Sequence, residues 1–381
     1  MAPLETFQRR GIVEGFFGPP WSMSHRTAMF EFGQTKGMNT YLYAPKDDPY
    51  HREHWEKPYP KPLWNELTHL IGAAKKYHVD FVYGFHPGKG LHFGKAEPVG
   101  WLLDKAKDLY AEGVRIFAVL FDDIPSTLEF AEDRKEFAGS LAKAEGLWLA
   151  KILNQQPAAW NSEVEWWICP SYYTEDPLLP RTFGAFEPSF LETLGKNLPD
   201  SVCCFWTGPS VVSKSISLAH VKKIKKRLRH RLILWDNYPV NDLSMSDELH
   251  LSPLTNRDPR LPLEVYGYLN NPLLQEALSF VPLATCFDYA AHPEHYDPET
   301  SWTNAVAKRF GSSSLPHWRA IRRFCEQTDS HKNKKLVTVN ARERSALESA
   351  RRYLVENCNE SWAKEFAPWL TVMEQQLGLD T

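Results

Sequence analysis

Two adjacent carboxylates close the stretch RIFAVLFDDIP, residues 115–125. Its segment 116–121 is an apolar run too short for a helix and rich in β-branched and aromatic residues, which predicts a buried strand. Asp122 and Asp123 stand where that strand ends, just ahead of the helix-breaking Pro125. A sheet fixes the backbone of a strand while its end opens to solvent. Paired acids at that point suit general acid–base work or the holding of a divalent cation. The same residue types also serve as helix caps and in turns, so the pair has to be judged with its surroundings.

The elements that must position these acids alternate in kind. Strand-like segments fall at 11–17, 39–44, 80–86, 115–122, 163–169, 201–207, 231–237 and 265–270, with helical patterns at 24–36, 63–77, 100–112, 133–153, 188–198, 218–229 and 275–281. Eight strands alternating with seven helical patterns imply parallel pairing and an α/β fold, a (β/α)8 TIM barrel. A doubly wound open sheet fits less well, because no GxGxxG turn follows any strand and polar residues cluster after nearly every strand. Those residues are Gly15, then Lys46 with Asp47 and Asp48, His86, the two acids, Tyr172 with Tyr173, Trp206, and Trp235 with Asn237 and Asn271. In a barrel, strand ends of one sense converge on one face, so the ring predicts a pocket. From residue 293 the pattern is helix only, at 300–310, 317–328, 341–358 and 362–377, with a loop at 329–335. The expected division is a catalytic barrel at 1–292 and a small helical C-terminal region at 293–381.

Composition narrows the classes of partner. The 381 residues are 43% hydrophobic and 24% charged, with Lys+Arg 44 against Asp+Glu 47 for a net charge of −3, which gives no bulk attraction to nucleic acid or anionic membrane. The one basic run, 222–231, is interleaved with Val221, Ile224 and Leu228 at helical spacing, so its charges belong to a solvated outer face. Six cysteines without a CxxC pair read as reduced thiols. No leader-like segment and no membrane-length apolar run is seen, so a cytoplasmic protein is expected. Aromatic residues make up 13%, with 14 Trp, a lean toward carbohydrate because aromatic faces stack on sugar rings.

Several strings together resemble one family: GIVEGFFGPPW (11–21), MNTYLYAPKDDPYHR (38–52), FDD (121–123), CPSYY (169–173), WTGP (206–209), WDNYPVND (235–242) and LNNP (269–272). In that order they resemble the O-GlcNAcases of glycoside hydrolase family 84, β-N-acetylglucosaminidases also known as hyaluronidases. The resemblance implies a retaining, cofactor-free and metal-free exo-hydrolase whose nucleophile is the substrate's own 2-acetamido group. It further implies that Asp122 accepts the acetamido N–H and that Asp123 protonates the leaving oxygen, then activates water against an oxazoline. Gly15, Lys46, Asp242 and Asn271 match positions that hold sugar hydroxyls, and Tyr173, Trp235 and Asn237 match the enclosure of the acetamido group. Phe17 stands where many relatives carry Tyr. The expected substrates are N-acetylglucosamine-bearing glycoconjugates, among them O-GlcNAc-modified proteins, with neither nucleic acid nor membrane as partner. A catalytically silent N-acetylhexosamine-binding barrel is the alternative. A metal-dependent phosphoryl-transfer enzyme is a weaker one, since no phosphate-cradling loop is present.

Overall fold

The computed structural model describes residues 6–88, 90–329 and 339–379. Eight parallel strands close into a barrel in sequence order: β1 (Arg9–Glu14), β2 (Thr40–Tyr43), β3 (Asp80–Phe85), β4 (Ile116–Leu120), β5 (Glu165–Cys169), β6 (Cys203–Trp206), β7 (Arg231–Asp236) and β8 (Val265–Asn270). Closure is made by β8 on β1, with Gly11 opposite Leu269. Each strand lies inside its predicted segment except β1, which begins two residues earlier, at Arg9. Several are shorter at the C-terminal end, where residues leave the ladder to face the barrel mouth.

Strand alternation sorts the core into two layers. Ile116, Ala118 and Leu120 of β4 share the barrel interior with Val13, Leu42, Trp167 and Ile233, whereas Phe117 and Val119 pack outward with Tyr83 and Ile168. Carried one step past the strand, this parity turns Asp122 into the barrel mouth. Asp123 would point outward, but its backbone is left-handed, with φ 61°.

The surrounding helices depart from expectation in three places. The helix expected at 133–153 is two, Ala131–Glu136 and Leu141–Gln155. Ala138 and Gly139 turn left-handed between them, and Ser140 caps the second through the Lys143 N–H at 3.1 Å. The segment 275–281 reaches only the start of a helix that runs Phe280–Ala291, and a short helix, Leu178–Phe183, follows β5 unannounced. The basic run lies on helix Leu218–Leu228 as expected, with Val221, Ile224 and Leu228 buried and Lys223 and Lys225 paired with Glu175 and Glu264 on the outside.

Beyond residue 293, helices Pro298–Phe310, Leu315–Asp329, Ala341–Glu356 and Ser361–Leu377 share one core with Leu249, Leu251, Leu273 and the buried helix Phe280–Ala291. Polar bonds fix this docking. The Trp302 and Trp369 indoles donate to the carbonyls of Leu251 and Asp247 at 2.8 and 2.9 Å, and Glu365 accepts from the N–H groups of Ala277 and Leu278 at 3.0 Å. The loop expected at 329–335 lies outside the described residues apart from Asp329, the last residue of its helix. All six cysteines are free thiols. Among the described residues no helix is long and apolar enough to cross a membrane.

Candidate active site

At the C-terminal mouth of the barrel lies a cavity of about 820 Å³, and Gly15, Lys46, Asp122, Asp123, Tyr173, Trp235, Asn237, Asp242 and Asn271 all line it. Six strands or the loops that follow them (β1, β2, β4, β5, β7 and β8) thus deliver the residues singled out from sequence. Of the remaining members of the expected ring, Asp47 is exposed, Tyr172 is half-buried, and Asp48, His86 and Trp206 stand behind the wall. Asp48 accepts from the hydroxyls of Tyr43 and Tyr59 at 2.7 and 2.6 Å and shapes the loop carrying Lys46. Trp206 is buried against His220, and His86 lies beneath Asp122.

The two acids occupy unequal environments. Asp122 Oδ2 accepts a hydrogen bond from Lys46 Nζ, and both side chains are nearly buried. Its Oδ1 is buried and has no hydrogen-bond partner among the described residues. Burial alone would raise the pKa of Asp122, but the Lys46 ammonium outweighs it and holds the carboxyl well below the usual range. His86 adds to this lowering, although burial pushes its own pKa down to about 3. For Asp123, burial comes first and the Asp122 charge second, and both push its pKa up; the Lys46 charge, and after it the Tyr173 hydroxyl donating to Oδ1 at 2.9 Å, only partly oppose them. Asp122 is the first of the pair to ionise, and Asp123 keeps its proton longer.

The rest of the ring forms a hydrogen-bonded chain. Asn237 Oδ1 accepts from Trp235 Nε1 and from Asn271 Nδ2, each at 3.0 Å, while its own amide donates to the Val211 carbonyl at 2.8 Å. Asn271 Oδ1 in turn accepts from the Gly15 N–H at 3.3 Å. A Cβ at Gly15 would lie 2.4 Å from the Trp235 ring, so only glycine lets the end of β1 meet that wall. Asp242 Oδ2 accepts from the Phe17 N–H at 2.8 Å, and burial raises its pKa. Outward-facing ion pairs brace the same strand ends: Glu14 with Arg26 beside Gly15, and Asp236 with Arg257 between Trp235 and Asn237.

Sequence reasoning missed much of the wall. Arg52 lines the cavity with its guanidinium 5.1 Å from the Phe17 ring centroid; it lies inside one of the quoted strings, yet spacing alone gave it no role. Helix Leu178–Phe183 and the segments 207–215 and 243–245 supply the outer rim, where Leu178, Val212 and Leu243 are exposed. No periodicity marks such loop residues.

A fully buried carboxyl, Glu145, lies behind the wall and accepts from the Ser171 N–H at 3.3 and 3.4 Å. Burial pushes its pKa from 4.5 up to about 8, against the opposing Ser171 bonds. The folded protein therefore holds a proton there that the unfolded chain releases, and stability falls as pH climbs from about 4.5 to about 8. Glu145→Gln removes this penalty. In melting curves across that range, the Tm of the variant relative to wild type is expected to rise with pH; a constant difference would show that Glu145 does not titrate there.

Comparison with known proteins gives a consistent result. A family model described as beta-N-acetylglucosaminidase matches residues 10–326. The chain is 33% identical over 275 residues to Protein O-GlcNAcase of Rattus norvegicus and to that of Mus musculus, covering 72% of this chain and 29% of each relative. It thus spans less than a third of the length of these relatives. Among solved structures, a mutant O-GlcNAc hydrolase of Thermobaculum terrenum superposes with a TM-score of 0.88 at 30% identity, over 97% of this chain and 82% of that one.

Proposed function

Because this chain belongs to the beta-N-acetylglucosaminidase family of glycoside hydrolases, we propose that it removes terminal β-linked N-acetylglucosamine with retention, through an oxazoline formed by the substrate's own acetamido group. The observation that carries the reading is the inequality of the two acids. A retaining enzyme with its own nucleophile places two carboxylates about 5 Å apart across the bond. Here they are consecutive residues, one ion-paired and the other half-buried with a raised pKa.

In the first step, Asp122 accepts the acetamido N–H at Oδ1 and orients the carbonyl oxygen toward the anomeric carbon. Its negative charge stabilises the cationic oxazolinium character that develops. Asp123 gives its proton to the leaving oxygen as the C1–O bond breaks. In the second step Asp123, now ionised, takes a proton from water, which attacks C1 and opens the oxazoline. Tyr173, Trp235 and Asn237 enclose the acetamido group and keep stray water away, while Gly15, Lys46, Asp242 and Asn271 hold the sugar hydroxyls.

The proposed substrates are N-acetylglucosamine-bearing glycoconjugates, including proteins modified with O-GlcNAc, the class named in its relatives. We assign catalysis to the barrel at 1–292 and support of its rim to 293–381. Six free thiols suit a reducing, cytoplasmic setting. The test is an aryl N-acetyl-β-glucosaminide followed by proton NMR, with a thiazoline mimic of the oxazoline as inhibitor. The β anomer is expected as the first product, and the thiazoline should compete. The α anomer first would overturn the retaining mechanism, and tight thiazoline binding without turnover would favour the silent sugar-binding barrel.

A further inference from the structure

We propose that His86 is a positioning residue for this reaction: bonded to the Asp122 carbonyl, its imidazole N–H clamps the Asp122–Asp123 peptide so that Asp123 keeps the left-handed backbone that turns its carboxyl into the pocket. The role rests on the functional reading above.

Strand parity supplies the problem that His86 solves. Successive residues of β4 alternate between interior and exterior, so two consecutive side chains cannot both face the mouth while the strand conformation continues. Both acids nevertheless line the cavity, and the change falls at Asp123, whose φ is 61°. A residue with a Cβ persists at such a φ only where its surroundings over-determine it. Two contacts act on it directly. The Tyr173 hydroxyl holds the carboxyl at 2.9 Å, and His86 Nε2 lies 2.9 Å from the carbonyl oxygen of Asp122. That carbonyl and the amide nitrogen of Asp123 share one rigid peptide plane, so fixing the carbonyl direction fixes one end of the φ rotation.

His86 is itself firmly held. It is 1% exposed, the first residue after β3, and its backbone N–H donates to the His51 carbonyl at 3.0 Å. The His51 ring donates back to the Gly84 carbonyl at 2.7 Å. A carbonyl can only accept, so the proton lies on Nε2, and Nδ1, which has no partner among the described residues, faces Gly88, where a Cβ would come within 3.0 Å. The Asp122 carboxylate is farther from Nε2, at 3.8 Å, which directs the effect to the peptide and through it to Asp123.

The test uses two variants of the whole chain and two substrates. His86→Phe fills the site without a donor, and His86→Gln keeps an N–H. On an alkyl or seryl N-acetylglucosaminide, which needs full protonation of its leaving group, His86→Phe is expected to lower kcat about tenfold or more, with KM little changed. On an activated aryl glycoside the loss in kcat/KM, which reports the first step, is expected to be small, and His86→Gln should restore most of the activity on both. In an Asp123→Ala background, His86→Phe should produce no additional loss on the aryl substrate. Equal losses on both substrates, or an additional loss in the Asp123→Ala background, would overturn the role. If His86→Phe is too unstable to assay, His86→Asn, whose shorter amide falls short of the carbonyl, carries the same comparison. A wild-type protein inert toward aryl N-acetylglucosaminides would remove the functional reading and this role together, whereas an active wild type with either overturning result removes this role alone.

Discussion

Asp123→Ala is expected to lower kcat by on the order of 10² to 10⁴ on glycosides with poor leaving groups. On aryl glycosides with acidic leaving groups the first step should be nearly spared, because the departing phenolate needs little protonation. The second step still needs a base, so an oxazoline intermediate should accumulate, visible as a burst of phenol followed by a slow steady state. Added azide, which needs no deprotonation, should speed that steady state and yield a β-glycosyl azide. The pH profile carries a second signature. Burial and the Asp122 charge raise the pKa of Asp123, so wild-type kcat/KM is expected to fall on the alkaline side as that proton is lost. This limb should vanish in the variant. Equal losses of kcat/KM, which reports the first step, on both substrate classes would show that Asp123 is not the acid.

Asp122→Asn is expected to slow every substrate by roughly 10² to 10³, whatever the leaving group, because the lost charge stabilises the cationic centre common to both steps. Affinity for the thiazoline should fall in parallel, since the variant offers an amide where the ligand needs an anion. The asparagine also leaves Lys46 without its carboxylate in a nearly buried site. Breaking a buried pair from one side costs about 3–5 kcal/mol, so a lower Tm should accompany the kinetic loss. Lys46→Met restores the charge balance of the site. The Lys46→Met and Asp122→Asn double variant is therefore expected to regain stability without regaining activity. Recovery of both would mean that Asp122 serves the fold and not the reaction.

Much of this site was legible because a parallel barrel collects its strand ends. Once the eight strand segments are recognised, Gly15, Lys46, Asp122, Tyr173, Trp235 and Asn271 must come together, however far apart they lie in sequence. What stayed hidden follows from the same physics. Helix Phe280–Ala291 is buried on nearly all sides, so it lacks the polar stripe that marks an amphipathic helix, and its boundaries could not be read. The break at Ala138 and Gly139 depends on backbone torsions that residue pattern does not encode. Asp123 is the more instructive case. Alternation assigns it to the outer face, yet with its left-handed φ and its bond from Tyr173 it lines the cavity, the turn that the proposed role gives to the His86 bond on the Asp122 carbonyl.

The indole bonds from Trp302 and Trp369 to the backbone at Leu251 and Asp247 bear on the opposite side of the pocket. Those carbonyls belong to the segment that leaves β7 and carries Asp242, and within it the Asn241 amide reaches Glu248 at 2.8 Å. The C-terminal helices therefore act as an external splint on one lip of the mouth. On the proposed reading, sugar fit at Asp242 can then be tuned from outside the barrel, by residues that do not line the cavity, without disturbing the acid pair that follows β4. In this architecture affinity for the sugar and the chemistry performed on it have separate mechanical supports, and can drift independently.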